Sequence, residues 1–285
     1  MIKNKRCFIA GGAGSIGQEL VRQLAPNNKI FIFDINETKT FNLREELEEK
    51  GYWVHSKTGD IRDAQSVQDV FNDFKPQIVI NAAALKHVIP NEEYPHEAIQ
   101  TNIIGTQNLI YESKRWECLE KFVQISTDKV VNAKCIMGIT KLCAEGLVTR
   151  AGKQFVSVRF GNVMASNGSV LEKWERQFRA GEPLTLTDPN MERYMMIIPE
   201  SCELIQEALE NGKNGEVWVM DMGERIKMGD LLRMFLVTKG KPDYPINIIG
   251  LRRGEVLKEY LMTEEEKRTA IKREKFWIIN GTTNL

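Results

Sequence analysis

Short apolar runs bounded by turn residues alternate along the chain with longer segments whose apolar residues recur every three or four positions. Residues 6–10 and 29–34 are such runs and read as strands. Between them, Ile16, Leu20, Val21 and Leu24 fall on one stripe of a helix over 15–24 that has to stop before Pro26. The same reading places further strands at 53–56, 77–81, 121–126 and 154–160, with helices around 66–74, 98–116 and 137–151. These strands are apolar almost throughout, which is the pattern of a parallel sheet covered by helices on both faces.

The rhythm breaks after Phe160. Residues 162–188 are richer in polar and turn residues, a helix resumes at 199–211, and one more strand is expected at 215–221. The remainder mixes short elements around a basic turn, Gly250-Leu251-Arg252-Arg253-Gly254-Glu255. No repeat, low-complexity tract or clean linker divides the chain. The predicted fold class is therefore α/β: a Rossmann-type doubly wound parallel sheet over 1–161, with a smaller substrate-binding lobe over 162–285 woven onto it. The strand near 215–221 is expected to return to the sheet.

Gly11-Gly12-Ala13-Gly14-Ser15-Ile16-Gly17 lies directly between the first strand and the first helix. Gly11, Gly14 and Gly17 permit a tight turn, so that backbone N–H groups near Ser15 and Ile16 can approach a pyrophosphate at the helix N-terminus. Asp34 closes the second strand. A carboxylate there accepts hydrogen bonds from the adenosine ribose and repels a 2′-phosphate, which favours NAD over NADP, although Lys39 and Arg44 are near enough in sequence to serve a phosphate. Asp60 and Ile61, after the third strand, are placed to border the adenine. Ala82, Ala83 and Ala84 end the fourth strand with side chains small enough for a cofactor to cross the sheet edge. The expected cofactor is NAD, bound by residues 1–161.

Charge and cysteine usage narrow the class further. The 285 residues carry 39 Lys and Arg against 39 Asp and Glu, so no global field recruits nucleic acid or an anionic membrane surface. Cys7, Cys118, Cys135, Cys143 and Cys202 are scattered and odd in number, as reduced thiols are, without the spacing of a metal site. The apolar stretch before the glycines is too short for a signal peptide, and no other approaches the ~20 residues of a membrane span. A cytoplasmic protein without a metal, and with neither nucleic acid nor membrane as partner, is expected.

Three further signals follow in the order of an extended short-chain dehydrogenase/reductase. Ser126-Thr127-Asp128-Lys129 ends a strand, Met137 and Lys141 share a helix at a spacing of four, and Arg159-Phe160-Gly161-Asn162-Val163 follows the next strand. That superfamily normally has an acid/base tyrosine where this chain has Met137, which cannot take a proton. The chain also carries Ala83-Ala84-Leu85-Lys86-His87-Val88, Thr101-Asn102-Ile103-Ile104-Gly105-Thr106, Thr185-Leu186-Thr187-Asp188-Pro189 and Asp221-Met222-Gly223-Glu224. With the turn at 250–255, these segments resemble the bacterial UDP-N-acetylglucosamine 4,6-dehydratases of the polysaccharide-biosynthesis class, in a short, soluble version of their methionine-bearing branch. Glu192 and Arg253 depart from that pattern, standing where threonine and proline are expected.

The resemblance implies a reaction without net redox change. Hydride leaves C4 of the sugar for NAD, a base takes the C5 proton while an acid protonates the departing C6 hydroxyl, and the hydride returns to C6. It implies Asp128 as acid, Lys129 as C5 base, Thr127 as partner of the C4 hydroxyl and Lys141 on the nicotinamide ribose. The C4 hydroxyl proton goes either to Asp128 or through a water to Lys141. Asn102 is assigned to the cofactor side, and Lys86 and Met137 to the substrate side, Met137 as packing. Asn162 and Arg252 are candidates for the diphosphate, and Glu255 for holding Arg252 or bonding a ribose hydroxyl. Arg193 is either a second phosphate contact or the partner of a lobe carboxylate. A UDP-sugar substrate and a homo-oligomer are implied as well. The run Glu264-Glu265-Glu266-Lys267-Arg268 reads as a solvated helix face. Two rival functions are an NAD-dependent sugar-nucleotide 4-epimerase, which needs neither C5 base nor C6 acid, and a non-catalytic NAD(P)-binding regulator, which has no use for an elimination pair.

Overall fold

The computed structural model describes residues 2–152, 154–213 and 215–281. Side chains along β1 (Arg6–Ala10) alternate between two buried clusters, Cys7 and Ile9 entering one and Phe8 and Ala10 the other. β2 (Lys29–Asp34), β3 (Val54–Thr58), β4 (Ile78–Asn81), β5 (Lys121–Ile125) and β6 (Phe155–Arg159) extend the sheet in parallel. Their spatial order is β3-β2-β1-β4-β5-β6, so the direction of winding reverses between β1 and β4. A crevice opens at such a reversal, beyond the C-terminal ends of the strands.

Helices cover both faces. α1 (Ser15–Leu24) buries Leu20, Val21 and Leu24 in the cluster with Ile9, Ile32 and Ile80. α2 (Glu37–Glu48), capped by Asn36, was not signalled by the sequence pattern. It buries only Thr40, Leu43 and Leu47 among many charges, too few for a legible stripe. On the opposite face, α3 (Ala64–Phe74) places Val67, Val70 and Phe71 with Phe8, Phe33 and Phe122. Short helices α4 (Val88–Glu93) and α5 (Pro95–Ala98) lead into the expected helix at 98–116. That helix opens as a π-helix, Ile99–Gly105, and becomes regular only in α6 (Thr106–Lys114). α7 (Ile136–Thr149) follows β5.

The second half returns to the sheet more often than the single expected strand. After β7 (Asn162–Val163), α8 (Val170–Arg179), β8 (Leu184–Leu186), β9 (Glu192–Arg193) and β10 (Met195–Met196), α9 (Ile198–Asn211) buries Leu204, Ile205 and Ala208 in the α1 cluster. β11 (Glu216–Met220) pairs in parallel with β6. The chain then leaves through β12 (Ile226–Lys227), α10 (Met228–Thr238) and β13 (Ile246–Ile248), and comes back through α11 (Glu264–Thr269), β14 (Ile271–Arg273) and β15 (Phe276–Asn280). β15 lies antiparallel to β11, with β14 beyond it. The lobe has its own core around Trp174, which is fully buried and donates through Nε1 to the Thr185 carbonyl at 2.8 Å, with Leu184, Leu232 and Leu236 beside it. No helix among the described residues is long and apolar enough to cross a membrane.

The run at 264–268 is only partly a solvated face. Glu264, Glu265, Lys267 and Arg268 are exposed, but Glu266 turns inward and meets Arg159 Nη1 at 3.0 Å. Arg159, 2% exposed at the end of β6, also grips Glu145 of α7, whose other oxygen accepts from Ser126 Oγ. One buried guanidinium thus ties β6, α7 and α11 together. Arg159→Ala strands two buried carboxylates without a counter-charge and is expected to cost about 3–5 kcal/mol. Urea unfolding of the variant, read against the wild type, measures that loss.

Candidate active site

At the end of β1 the chain turns so tightly that a Cβ on Gly17 would stand 2.1 Å from the Gly11 carbonyl oxygen. α1 starts immediately beyond, with Gly14 at its N-cap position and no side chain capping it. The first N–H groups of the helix are left for an anion. Asp34 Oδ2 accepts from Ala13 N at 3.0 Å and Oδ1 from Asn36 N at 2.9 Å, so the carboxylate braces the turn from the end of β2. An uncapped helix start with a carboxylate at the next strand end fits a dinucleotide: the N-terminus suits its diphosphate, and Asp34 retains lone pairs for ribose hydroxyls.

Other residues assigned to the cofactor side divide into contacts and supports. Gly11, Gly14, Ser15, Ile16, Gly17, Ala82 and Ala84 border a cleft of about 740 Å³, whereas Ala83 packs behind it against the cluster under α3. Ile61 is buried, and a Cβ on Gly105 would meet its side chain. Asn102 is also buried, and its amide is spent on Leu85 N, Leu85 O and Thr140 Oγ1. Both are buried, and neither lines the cleft. Asp60 holds Arg62, with Nη2 at 2.6 Å.

The chemical centre lies just past β5. Thr127 is the N-cap of a single helical turn, Asp128–Val130, and its Oγ1 donates to Asp128 Oδ1 at 3.0 Å. Lys129 Nζ stands 3.1 Å from that same Asp128 oxygen, 3.1 Å from Glu259 Oε1 and 3.2 Å from Asn162 Oδ1. Glu259 Oε2 accepts from Arg193 Nε and Asn162 Nδ2, each at 3.2 Å. Asp128 Oδ2, in contrast, has no donor among the described residues, and Asp128 is 0% exposed. Burial pushes the Asp128 carboxyl up to about 7, against the pull of Lys129 and with the push of Glu259. Burial works against the Lys129 ammonium too, but Asp128 and Glu259 outweigh it and hold it above the ordinary lysine value.

α7 sits directly on this turn. A Cβ on Gly138 would lie 2.3 Å from the Lys129 carbonyl oxygen, so glycine is what allows the approach. Met137, 3% exposed, faces the cleft without any proton to offer, and Lys141 follows one helical turn later. Lys141 Nζ donates to the Ile125 carbonyl at 2.5 Å, and burial draws its ammonium down to about 8, with Glu145 opposing.

Across the cleft, Arg252 and Glu255 form a bidentate pair in the turn expected to meet phosphate, with Nη2–Oε1 at 2.6 Å. Lys86 lines the cleft with Ser166 Oγ 3.4 Å away, and burial lowers its ammonium against the pull of Glu172. Asn162 and Arg193, candidates for phosphate, are instead tied to the Lys129 and Glu259 cluster, so Arg193 takes the role of partner to a lobe carboxylate. His87 also borders the cleft, and a Cβ on Gly168 would stand 2.6 Å from its ring. The residue that sequence reasoning missed is Glu259. It lies four positions beyond the quoted turn, and nothing local indicates that it meets Asp128 and Lys129. No group of three or more His, Cys, Asp or Glu among the described residues is arranged to hold a metal ion.

Comparison with known proteins agrees with this geometry. A family described as polysaccharide biosynthesis protein matches residues 7–281. An uncharacterised membrane protein of Methanocaldococcus jannaschii is 42% identical over 93% of this chain and 82% of its own length. The capsular polysaccharide biosynthesis protein CapD of Staphylococcus aureus is 39% identical over 93% of the chain, which spans only 46% of that relative. A UDP-glucose 4-epimerase of Rickettsia typhi is 33% identical over 95% of the chain and 81% of the relative. Among solved structures, Pen from Bacillus thuringiensis superposes with a TM-score of 0.92 at 34% identity, over 97% of this chain and 89% of Pen. A dTDP-glucose 4,6-dehydratase from Bacillus anthracis in complex with NAD shares the fold, with a TM-score of 0.73 at 19% identity, over 88% and 86% of the two chains. With its sheet, its glycine turn and nearly its whole described length matched, the chain belongs to the polysaccharide biosynthesis protein family.

Proposed function

We propose that this chain catalyses the NAD-dependent 4,6-dehydration of a UDP-N-acetylhexosamine, UDP-N-acetylglucosamine first among them, to the 4-keto-6-deoxy sugar nucleotide. The observation that carries this reading is the buried pair past β5: an acid with an unpartnered oxygen, Asp128, 3.1 Å from the amine of Lys129. NAD, held by the uncapped N-terminus of α1 and by Asp34, would supply reversible hydride acceptance for the sugar.

The residues account for the proton movements. A proton passing from the Lys129 ammonium to Asp128 Oδ1 produces, in one transfer, the neutral amine that C5 needs and the carboxylic acid that C6 needs. The two side chains together then carry one proton, and their titration belongs to the pair. Thr127 orients the Asp128 carboxyl and offers its oxygen to the C4 hydroxyl. Lys141, with its ammonium drawn down towards neutrality and no tyrosine beside it, anchors the nicotinamide ribose and eases loss of the C4 hydroxyl proton. Arg252, held by Glu255, presents a planar fork to the diphosphate.

A 4-epimerase is the second reading, and the name of the Rickettsia typhi relative favours it. Mass spectrometry separates the two. Incubation of the purified holoenzyme with UDP-N-acetylglucosamine is expected to yield a product lighter by one water. A product of unchanged mass with inverted C4 would establish the epimerase instead.

A further inference from the structure

Two buried carboxyl groups compete for one ammonium in this site. Lys129 Nζ lies 3.1 Å from Asp128 Oδ1 and 3.1 Å from Glu259 Oε1. The competitors are unequally supported. Glu259 has Arg193 Nε and Asn162 Nδ2 on its second oxygen, so its negative charge is satisfied on both sides. Asp128 has only Thr127 Oγ1 and the shared lysine, both on Oδ1, and Oδ2 is left without a donor in a fully buried position. Two adjacent carboxylates in a dry site do not both stay ionised cheaply, and the less supported one takes the proton. Both carboxyls touch the same ammonium, so the charge of each raises the cost of ionising the other.

We propose that Glu259 is a positioning residue of the elimination site: its carboxylate shares the Lys129 ammonium with Asp128 and, by its own well-supported charge, leaves Asp128 as the member of the trio that takes the proton and serves as acid. This rests on the dehydratase reading for its role in catalysis, though not for the protonation itself. Glu259 arrives from the lobe, between Lys258 and Tyr260, whereas Asp128 and Lys129 belong to the sheet edge. The lobe therefore completes the chemical centre rather than merely holding the nucleotide. The other charges facing Glu259 are accounted for. Arg193 reaches it from β9, while Arg225 and Lys258 are each engaged with Glu192.

The test is Glu259→Gln in the holoenzyme, read first by infrared titration of the protonated-carboxyl band, with Asp128→Asn identifying which part of that band is Asp128. Loss of the Glu259 charge removes the repulsion that favours the acid form of Asp128 and weakens the hold on Lys129. The Asp128 midpoint is expected to fall from near pH 7 by about one unit or more. The acid limb of kcat should move down with it, while KM for UDP-N-acetylglucosamine changes by less than about threefold, as expected of a residue that acts on the acid and amine pair. Glu259→Asp, which keeps the charge but draws it back by one methylene, should give a midpoint below that of the wild type, and it serves where Glu259→Gln does not fold. An unchanged midpoint in either variant, a wild type with no Asp128 carboxyl band at pH 6, or a uniform loss of kcat with no movement of the acid limb overturns the proposal. If the wild type does not dehydrate the substrate at all, the dehydratase reading falls, and the infrared titration still decides the role of Glu259.

Discussion

Asp128→Asn and Lys129→Ala should each lose about 10²–10⁴-fold in turnover while keeping the fold and the cofactor. The two losses have different origins. Asparagine is close in shape to the protonated acid, so Asp128→Asn preserves the packing, but on the proposed mechanism it has no proton to give the departing C6 oxygen. Lys129→Ala removes the amine that the two carboxyls share. Asp128 then stays neutral beside Glu259, which Arg193 and Asn162 continue to hold, so the site survives without a C5 base. Because wild-type activity needs the pair to carry a single proton, kcat should rise with pH as the extra proton leaves near pH 7. Single-turnover mass spectrometry, circular dichroism and cofactor content of the two variants check these expectations together. Near-normal dehydration by either variant would move the elimination chemistry elsewhere in the cleft.

The second large effect concerns the helix that normally carries tyrosine. Lys141→Ala should be as damaging as loss of Lys129, whereas Met137→Leu should keep most of the activity. A thioether holds no transferable proton, and leucine nearly matches its volume and polarity, a swap that usually costs under about 1.5 kcal/mol in packing. Lys141 is different because its ammonium is buried, bonded at 2.5 Å to the carbonyl that ends β5, and drawn down to about 8. On the proposed mechanism, removing it takes away the ribose anchor and the cation that favours deprotonation near C4. It also takes from the Ile125 carbonyl its charged donor, leaving Gln124 Nε2 at 3.0 Å. Turnover of both variants at saturating substrate is the measurement. Equal losses in a folded Met137→Leu and in Lys141→Ala would show that the sulfur has a role in the chemistry.

What the sequence made legible was local. The glycine turn, Asp34 at a strand end and the Thr127, Asp128 and Lys129 trio are each read within a few residues of one another, and each lies at the C-terminal edge of a parallel strand. Elements lacking a stripe were not legible. α2 buries three residues among charges, and the strand pair at the C-terminus contains Lys272, Arg273 and Lys275 beside its apolar positions. Pairings made over the whole length of the chain were the least legible. Glu266 sits in a run that looks fully solvated until Arg159 is found beneath it, and Glu259 gains its meaning only from Asp128. Charged residues are written alike in sequence whether they face water or a buried partner, and only tertiary contact separates the two.

The repeated return of the chain to the sheet limits how such a scaffold can be recombined. β6 has its outer neighbour in β11, and the α1 face is roofed by α9, so no single crossover point separates one half from the other. A fragment ending at Gly161 would expose the β6 edge at Ser157, Val158 and Arg159, along with the apolar stripe of Leu20, Val21 and Leu24. Unpaired edges next to apolar faces are where chains stick to one another. Grafting a foreign lobe at residue 161 would also discard Glu259 and Glu266, and with them the partners of the two most buried charged clusters. Substitution within the lobe leaves this framework standing, whereas exchange of the lobe dismantles the sheet.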